Sequence, residues 1–212
     1  MSEQVVIDII SDVVCPWCYV GKKHIEKAFE NMPELDAVIR WHPFQLDPSI
    51  PLEGYDRKAY MAKKFGDDGR LKAAHERLEA LGAENGIAFQ FAAIQRSPNT
   101  LNAHRLIRWA NEAGVQDAVV SALFQAYFED GLDIGETSVL SFIAGKVGMD
   151  GDGIAARLET DLDTDSIRAE IAEAGRIGVS GVPFFILDQK LAVSGAQPSE
   201  VLMDALRQAI AA

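Results

Sequence analysis

The chain has only two cysteines in 212 residues, Cys15 and Cys18. A domain of this size buries enough surface to fold without cross-links. A bridge closing so short a loop would also stabilise little. The pair therefore serves chemistry or metal binding, or stands there by chance. Basic residues are also scarce: 20 Lys and Arg against 32 Asp and Glu leave a net charge of −12. A nucleic-acid surface is excluded on that balance, because phosphate affinity comes from clustered cations. No apolar run approaches the 18 or so residues of a membrane span. The opening Met1-Ser2-Glu3-Gln4 has no basic segment, and Asp8 interrupts the apolar run Val5–Ile10. No secretory leader is expected from that pattern, and the cytoplasm is the default compartment. Metal ligands are few as well. No second Cys-x-x-Cys or His-x-x-x-His completes a tetrahedral zinc site, so no metal is expected.

What is present begins with a βαβ pattern. Val5–Ile10 reads as a buried, β-branched strand, and Cys15-Pro16-Trp17-Cys18 opens a helix. Pro16 suits the first helical position, where its missing N–H costs nothing. Trp17, Val20, His24 and Ala28 share one helical face, and Val38–His42 reads as a second strand. From about Asp56 to Asp165 the pattern turns to helix after helix. Leu71, Ala74, His75, Leu78 and Leu81 form a stripe stopped at Gly82. Asn99 caps a stripe carrying Leu106 and Trp109 up to Gly114. Val119, Leu123, Phe124 and Phe128 make a third, and Val139, Leu140, Phe142, Ile143 and Val147 a fourth, ending at Gly148. Ile167 and Ile171 lie on a further helix. Phe184–Leu187 and Leu191–Ser194 read as a hairpin turned at Asp188-Gln189. The last helix starts at Pro198 and points Val201, Leu202, Ala205, Leu206, Ala209 and Ile210 inward. The expected architecture is α/β: residues 1–55 and 166–212 make a βαβ plus ββα sheet domain, and 56–165 an all-helical insertion.

Cys15 stands where a strand meets a helix, a place where free N–H groups and the helix dipole favour a thiolate. Cys18 lies one turn deeper on the same face. The first sulfur can attack a disulfide and the second can resolve the mixed disulfide that results. A Cys-x-x-Cys inside a βαβ unit points to redox chemistry. Val182-Pro183 heads a strand after a glycine-containing bend. An X-Pro bond is where a cis peptide is cheapest, and this one is expected to be cis and to lie beside Cys15. The Val182 backbone would then offer strand-like hydrogen bonds to an extended substrate.

Cys15-Pro16-Trp17-Cys18, together with Gly178-Val179-Ser180-Gly181-Val182-Pro183, resembles the DsbA-like thioredoxin-fold oxidoreductases, in particular the FrnE branch. The likeness extends through Arg40–Phe44, Asn99-Thr100, Ala103–Leu106 and Ser194–Gln197, and so over nearly the whole chain. It implies a thioredoxin-like fold with an inserted helical subdomain. It also implies thiol–disulfide exchange with Cys15 as nucleophile, Cys18 as resolver, Pro16 and Trp17 in the active-site loop, and Val182 and cis-Pro183 at the substrate. The related kappa-class glutathione transferases and 2-hydroxychromene-2-carboxylate isomerases usually carry serine at the position of Cys15. They supply the alternative, a glutathione-dependent isomerase or transferase acting on a small aromatic compound. In that reading Asn99, Ser194 and Gln197 hold the thiol ligand. The acid that thioredoxins carry six residues before the nucleophile is Ile9 here, whereas Asp12, three before, matches the transferase-like branch. The resemblance implies no tightly bound cofactor, with glutathione as a co-substrate. Partners are thiol- or disulfide-bearing proteins or glutathione, with neither nucleic acid nor membrane, and the chain acts as a monomer or homodimer.

Other motifs fail on their own chemistry. Asp161, Asp163 and Asp165 begin a calcium-loop spacing, but Ser166 and Ala172 stand where glycine and glutamate are required. Gly151-Asp152-Gly153 follows no strand, so it is no dinucleotide fingerprint. Ser180 lacks the glycine two residues on that a nucleophile elbow needs. His42 and His104 read as structural histidines.

Overall fold

The computed structural model describes residues 4–66 and 69–212. Met1–Glu3, part of the segment on which the leader argument rests, lie outside the described residues. A four-stranded sheet runs in the order β2-β1-β5-β6, where β1 is Val5–Ser11, β2 Ala37–Pro43, β5 Phe184–Leu187 and β6 Leu191–Ser194. β1 and β2 are parallel, joined by the crossover helix α1 (Pro16–Glu30). β5 is antiparallel to β1, pairing Ile9 with Phe185, and β6 is antiparallel to β5. β1 lies between β2 and β5, so both of its edges are paired; the face of Val5, Ile7 and Ile9 is buried and the opposite face is half-buried at Val6 and Asp8. Val5, Ile7, Ile9 and Ile10 are its buried apolar residues. The β5–β6 turn places Asp188 and Gln189 at positive φ, the geometry that matches a tight hairpin to the twist of its strands. Helix α9 (Ser199–Ala211) packs back on α1.

Between β2 and β5 the chain forms α2 (Arg57–Phe65), α3 (Arg70–Glu84), α4 (Leu101–Glu112), α5 (Gln116–Phe128), α6 (Thr137–Lys146), α7 (Gly151–Leu158) and α8 (Thr164–Arg176). With α1 and α9 these make nine helices among the described residues, in a mixed α/β thioredoxin-type fold. A two-residue ladder, β3 (Tyr55–Asp56) with β4 (Arg96–Ser97), ties the start of α2 to the segment before α4. The Asp56 carboxylate caps α2 by accepting from Ala59 N at 2.8 Å. The boundaries expected at 55/56 and 165/166 fall inside β3 and α8, because both elements continue across them. One hydrophobic cluster joins the sheet to the helices. Tyr19 of α1 stacks on Phe124 of α5 at 5.0 Å, and Phe89 and Phe128 close around it.

Several local expectations need correction. Gly82 does not stop α3, which continues to Glu84. A Cβ at that position would stand 2.5 Å from Phe89 Cδ2, so the glycine serves close packing rather than a helix end. Phe142 is 58% exposed, and Val201 and Ile210 are 44% and 46% exposed, so these three leave the inward stripes assigned to them. The stripe Leu71, Ala74, His75 and Leu78 does face one side of α3, but that side borders a cavity. No helix among the described residues is long and apolar enough to cross a membrane.

Candidate active site

Cys15 occupies the cap position of α1, with extended backbone (φ −92°, ψ 111°), and Pro16 takes the first helical place as expected. The tight turn from β1 is held by Cys15 N donating to Asp12 O at 2.9 Å. Cys18 N in turn donates to Cys15 O at 3.0 Å. This brings the two cysteine side chains together, and both are free thiols, 4% and 1% exposed. Burial pushes the Cys18 thiol well above its ordinary range, and the adjacent Cys15 sulfur raises it further; the Ser11 hydroxyl and the Asp12 backbone act in the opposite direction. The proton is thereby held on Cys18.

The Val182–Pro183 peptide bond is cis. Cys15 Sγ lies 3.6 Å from Val182 O, so the bend before β5 meets the front of α1. Gly21, one turn past Cys18, makes this approach possible. A Cβ there would stand 2.9 Å from Pro183 Cγ and 3.3 Å from Phe185. Trp17 is 38% exposed at the rim.

Beside Cys15 opens a cavity of about 570 Å³, walled by α2, α3 and the segments before and after them. Its lining is mainly apolar, from Val14, Leu46, Phe65, Leu78 and Phe91, with a few polar groups among them. Arg57, 8% exposed, donates to Tyr127 Oη at 2.8 Å. That tyrosine is buried, and desolvation pushes its hydroxyl up to about 12, so it stays protonated at neutral pH. His75 stacks on Phe91 at 4.1 Å, and burial, with Arg57 nearby, lowers its pKa. Asp12 is 1% exposed. Its Oδ2 accepts from Leu46 N at 2.8 Å, while Oδ1 has no hydrogen-bond partner.

The structure thus brings Cys15, Pro16, Trp17 and Val182 to one cavity, with Cys18 and Pro183 behind them. The other three candidates stand apart from that lining. Asn99 Oδ1 accepts from Leu101 N at 2.9 Å and its Nδ2 donates to Ile50 O, so from one residue before the Thr100 cap it braces the start of α4 and straps a loop. Gln197 Nε2 donates to Ser194 O at 3.0 Å, and Gln197 O is 2.8 Å from His24 Nδ1. His42 pairs with Asp8 at 2.7 Å, and His104 bonds Phe44 O at 2.8 Å. No cluster of metal-ligating side chains occurs among the described residues. Arg57, Tyr127 and Ser97 were not singled out in the sequence. They reach the site only through long-range packing of α2, α5 and β4, which leaves no local pattern. His75 within an apolar stripe was the one legible hint.

The Cys18 environment sets a pH dependence. A thiol raised on folding keeps its proton in the native state after the unfolded chain has lost it. Stability is then fully present below the ordinary thiol range and falls as pH rises above it. The reduced protein is expected to lose up to about 1.4 kcal/mol per pH unit above roughly pH 8.5 relative to Cys18→Ala. Paired urea titrations at pH 7.5 and 9.5 check this, and parallel losses in the two proteins would refute it.

The family model for the DSBA-like thioredoxin domain matches residues 6–207. Among solved structures, a probable DsbA oxidoreductase from Streptomyces coelicolor is 34% identical, with a TM-score of 0.88 over 97% of this chain and 89% of that one. A 2-hydroxychromene-2-carboxylate isomerase is 18% identical with a TM-score of 0.72, covering 96% and 95% of the two chains. The cytosolic disulfide reductase DsbM from Pseudomonas aeruginosa, solved with GSH, is 19% identical with a TM-score of 0.66, covering 97% and 96%. The last two show likeness of fold alone. With the family model spanning nearly the whole length, the chain belongs to the DSBA-like thioredoxin domain family.

Proposed function

We propose that the protein is a thiol–disulfide oxidoreductase whose working groups are Cys15 and Cys18. The Cys15 thiolate attacks one sulfur of a substrate disulfide, forming a Cys15 mixed disulfide and releasing the other sulfur as a thiolate. Cys18 then gives up its proton and attacks Cys15 Sγ, displacing the second thiolate. Two electrons have passed from the dithiol to the substrate, and Cys15–Cys18 is left as a disulfide. Run backwards, the same steps oxidise a dithiol. Glutathione is the co-substrate that returns the pair to the reduced form, and a cytoplasmic, reducing setting goes with that direction. Thiol- or disulfide-bearing proteins remain partners at the same face.

The observation that carries this reading is the meeting of three groups: Cys15 Sγ, Cys18 beneath it, and Val182 O at 3.6 Å. A nucleophile, a resolving thiol and a strand-like backbone edge stand together. The isomerase reading needs only one sulfur, leaving Cys18 without a part. It also asks Asn99, Ser194 and Gln197 to hold a tripeptide, and the Asn99 and Gln197 side chains are already engaged with Leu101 N, Ile50 O and Ser194 O. The test is a thiol count. One equivalent of oxidised glutathione added to the reduced protein should remove both thiols together and liberate two equivalents of glutathione. Loss of one thiol alone, or of neither, counts against the proposal.

A further inference from the structure

Two residues that line the Cys15 cavity each carry a buried polar atom without a hydrogen-bond partner. Asp12 Oδ1 is one; the His104 ring Nε2 is 3.7 Å away and already bonded to Phe44 O at 2.8 Å. A ring nitrogen carries at most one hydrogen, so it cannot serve both. Ser97 Oγ, on a residue 3% exposed, is the other. The same cavity carries Arg57, whose guanidinium bonds a tyrosine hydroxyl and pairs with no carboxylate among the described residues. A buried carboxylate oxygen and a buried guanidinium, each short of a counter-charge and not paired with each other, are costly features for a fold to retain. A small molecule bearing both an ammonium and a carboxylate satisfies the two at once. Phe65, Leu78 and Phe91 cover its carbon skeleton, and Cys15 waits on the same wall. The volume, about 570 Å³, falls among small-molecule sites of roughly 300–1,000 Å³.

We propose that this cavity binds the free α-amino-acid end of a low-molecular-weight disulfide, Arg57 taking the carboxylate and Asp12 Oδ1, with Ser97 Oγ, the ammonium. The inference rests on the exchange reading and narrows its substrate class to small amino-acid disulfides. The covalent steps are those already given, with the amino-acid thiolate as the leaving group.

Three probes separate the charges: cystine carries both, cystamine only the ammonium, and 3,3′-dithiodipropionate only the carboxylate. Reduced protein is mixed with excess probe, loss of its thiols is followed, and each rate is divided by that probe's rate with free dithiothreitol. Cystine should exceed both others by about tenfold, the effect of one charge-assisted hydrogen bond. Arg57→Gln should lower the cystine-to-cystamine ratio about tenfold, and Asp12→Asn the cystine-to-dithiodipropionate ratio by a similar factor. Asparagine can still accept from Leu46 N, and ratios within one variant cancel any general loss of activity. Flat ratios, or cystamine ranking first in the unaltered protein as its net charge alone would dictate, overturn the inference. Flat ratios with a Cys15–Cys18 disulfide still forming would leave the exchange reading standing. No reaction with any probe and no such disulfide in an oxidising thiol buffer would remove both.

Discussion

Cys18→Ser is expected to turn the protein into a trap, holding its substrate as a mixed disulfide on Cys15, while Cys15→Ser should not react at all. The asymmetry follows from placement. Cys15 borders the cavity at the cap of α1, whereas Cys18 is 1% exposed and meets its neighbour rather than solvent. Resolution by Cys18 is intramolecular, and an aligned internal nucleophile gains several powers of ten in effective concentration over an external thiol. Release of the trapped group should therefore slow by on the order of 100-fold or more in millimolar thiol. Intact-mass analysis after mixing with a disulfide reads both variants: an adduct on Cys18→Ser, and none on Cys15→Ser. An adduct forming equally well on Cys15→Ser would reverse the assigned roles. Catalysis unaffected by Cys18→Ser would favour the isomerase reading instead.

Asp117→Ala is expected to produce a large loss of stability. Lys22, one turn beyond Cys18, has no exposed side-chain surface, and its ammonium contacts both Asp117 oxygens, at 2.9 and 2.8 Å, and Glu26 at 2.5 Å. Asp117 Oδ1 also accepts from Trp41 Nε1 at 3.0 Å, so one carboxylate pins α1, α5 and β2 together. Removing it leaves a buried cation with one remaining partner. Breaking a buried pair from one side typically costs about 3–5 kcal/mol. The half-exposure of Asp117 and the surviving Glu26 put the expectation near the lower end, about 3 kcal/mol. In a domain of this size that lowers Tm by roughly 6–12 °C. The exposed pair Arg207–Asp204 is the control, and Asp204→Ala should stay within about 0.5 kcal/mol. Lys22→Met combined with Asp117→Ala should recover much of the loss, because the uncompensated charge goes with its partner. Equal small effects of Asp117→Ala and Asp204→Ala would show that the buried lysine is not held as described.

The sheet and the reactive loop were legible because their signals are local. β-branched runs, Pro16 at a helix start, the turn at Asp188-Gln189 and the Cys15/Cys18 spacing each follow from a few adjacent residues. Helix faces were less so. Periodicity marks Phe142, Val201 and Ile210 as apolar-side residues but cannot say whether a neighbouring element covers them, and none does fully. The stripe from Leu71 to Leu78 is ambiguous for the same reason, since the wall of a cavity and a packed interface share one pattern. Gly82 read as a stop because the contact that explains it, with Phe89, lies beyond the helix. The two-residue pairing of Tyr55–Asp56 with Arg96–Ser97 is too short to carry any alternation. Asn99, Ser194 and Gln197 come from family likeness, and the Asn99 and Gln197 side chains bond nearby backbone in this fold. Arg57 and Asp12 acquire meaning only once distant segments enclose them.

An equilibrium titration in glutathione buffers of defined ratio, with free thiols blocked and counted at each point, shows whether Cys15 and Cys18 act as one redox pair. A single two-electron transition is expected in which the Cys15 and Cys18 thiols disappear together, with a tenfold change in the ratio of the two forms per roughly 30 mV. Two thiols persisting across the whole range, or reacting one by one with external glutathione, would contradict it.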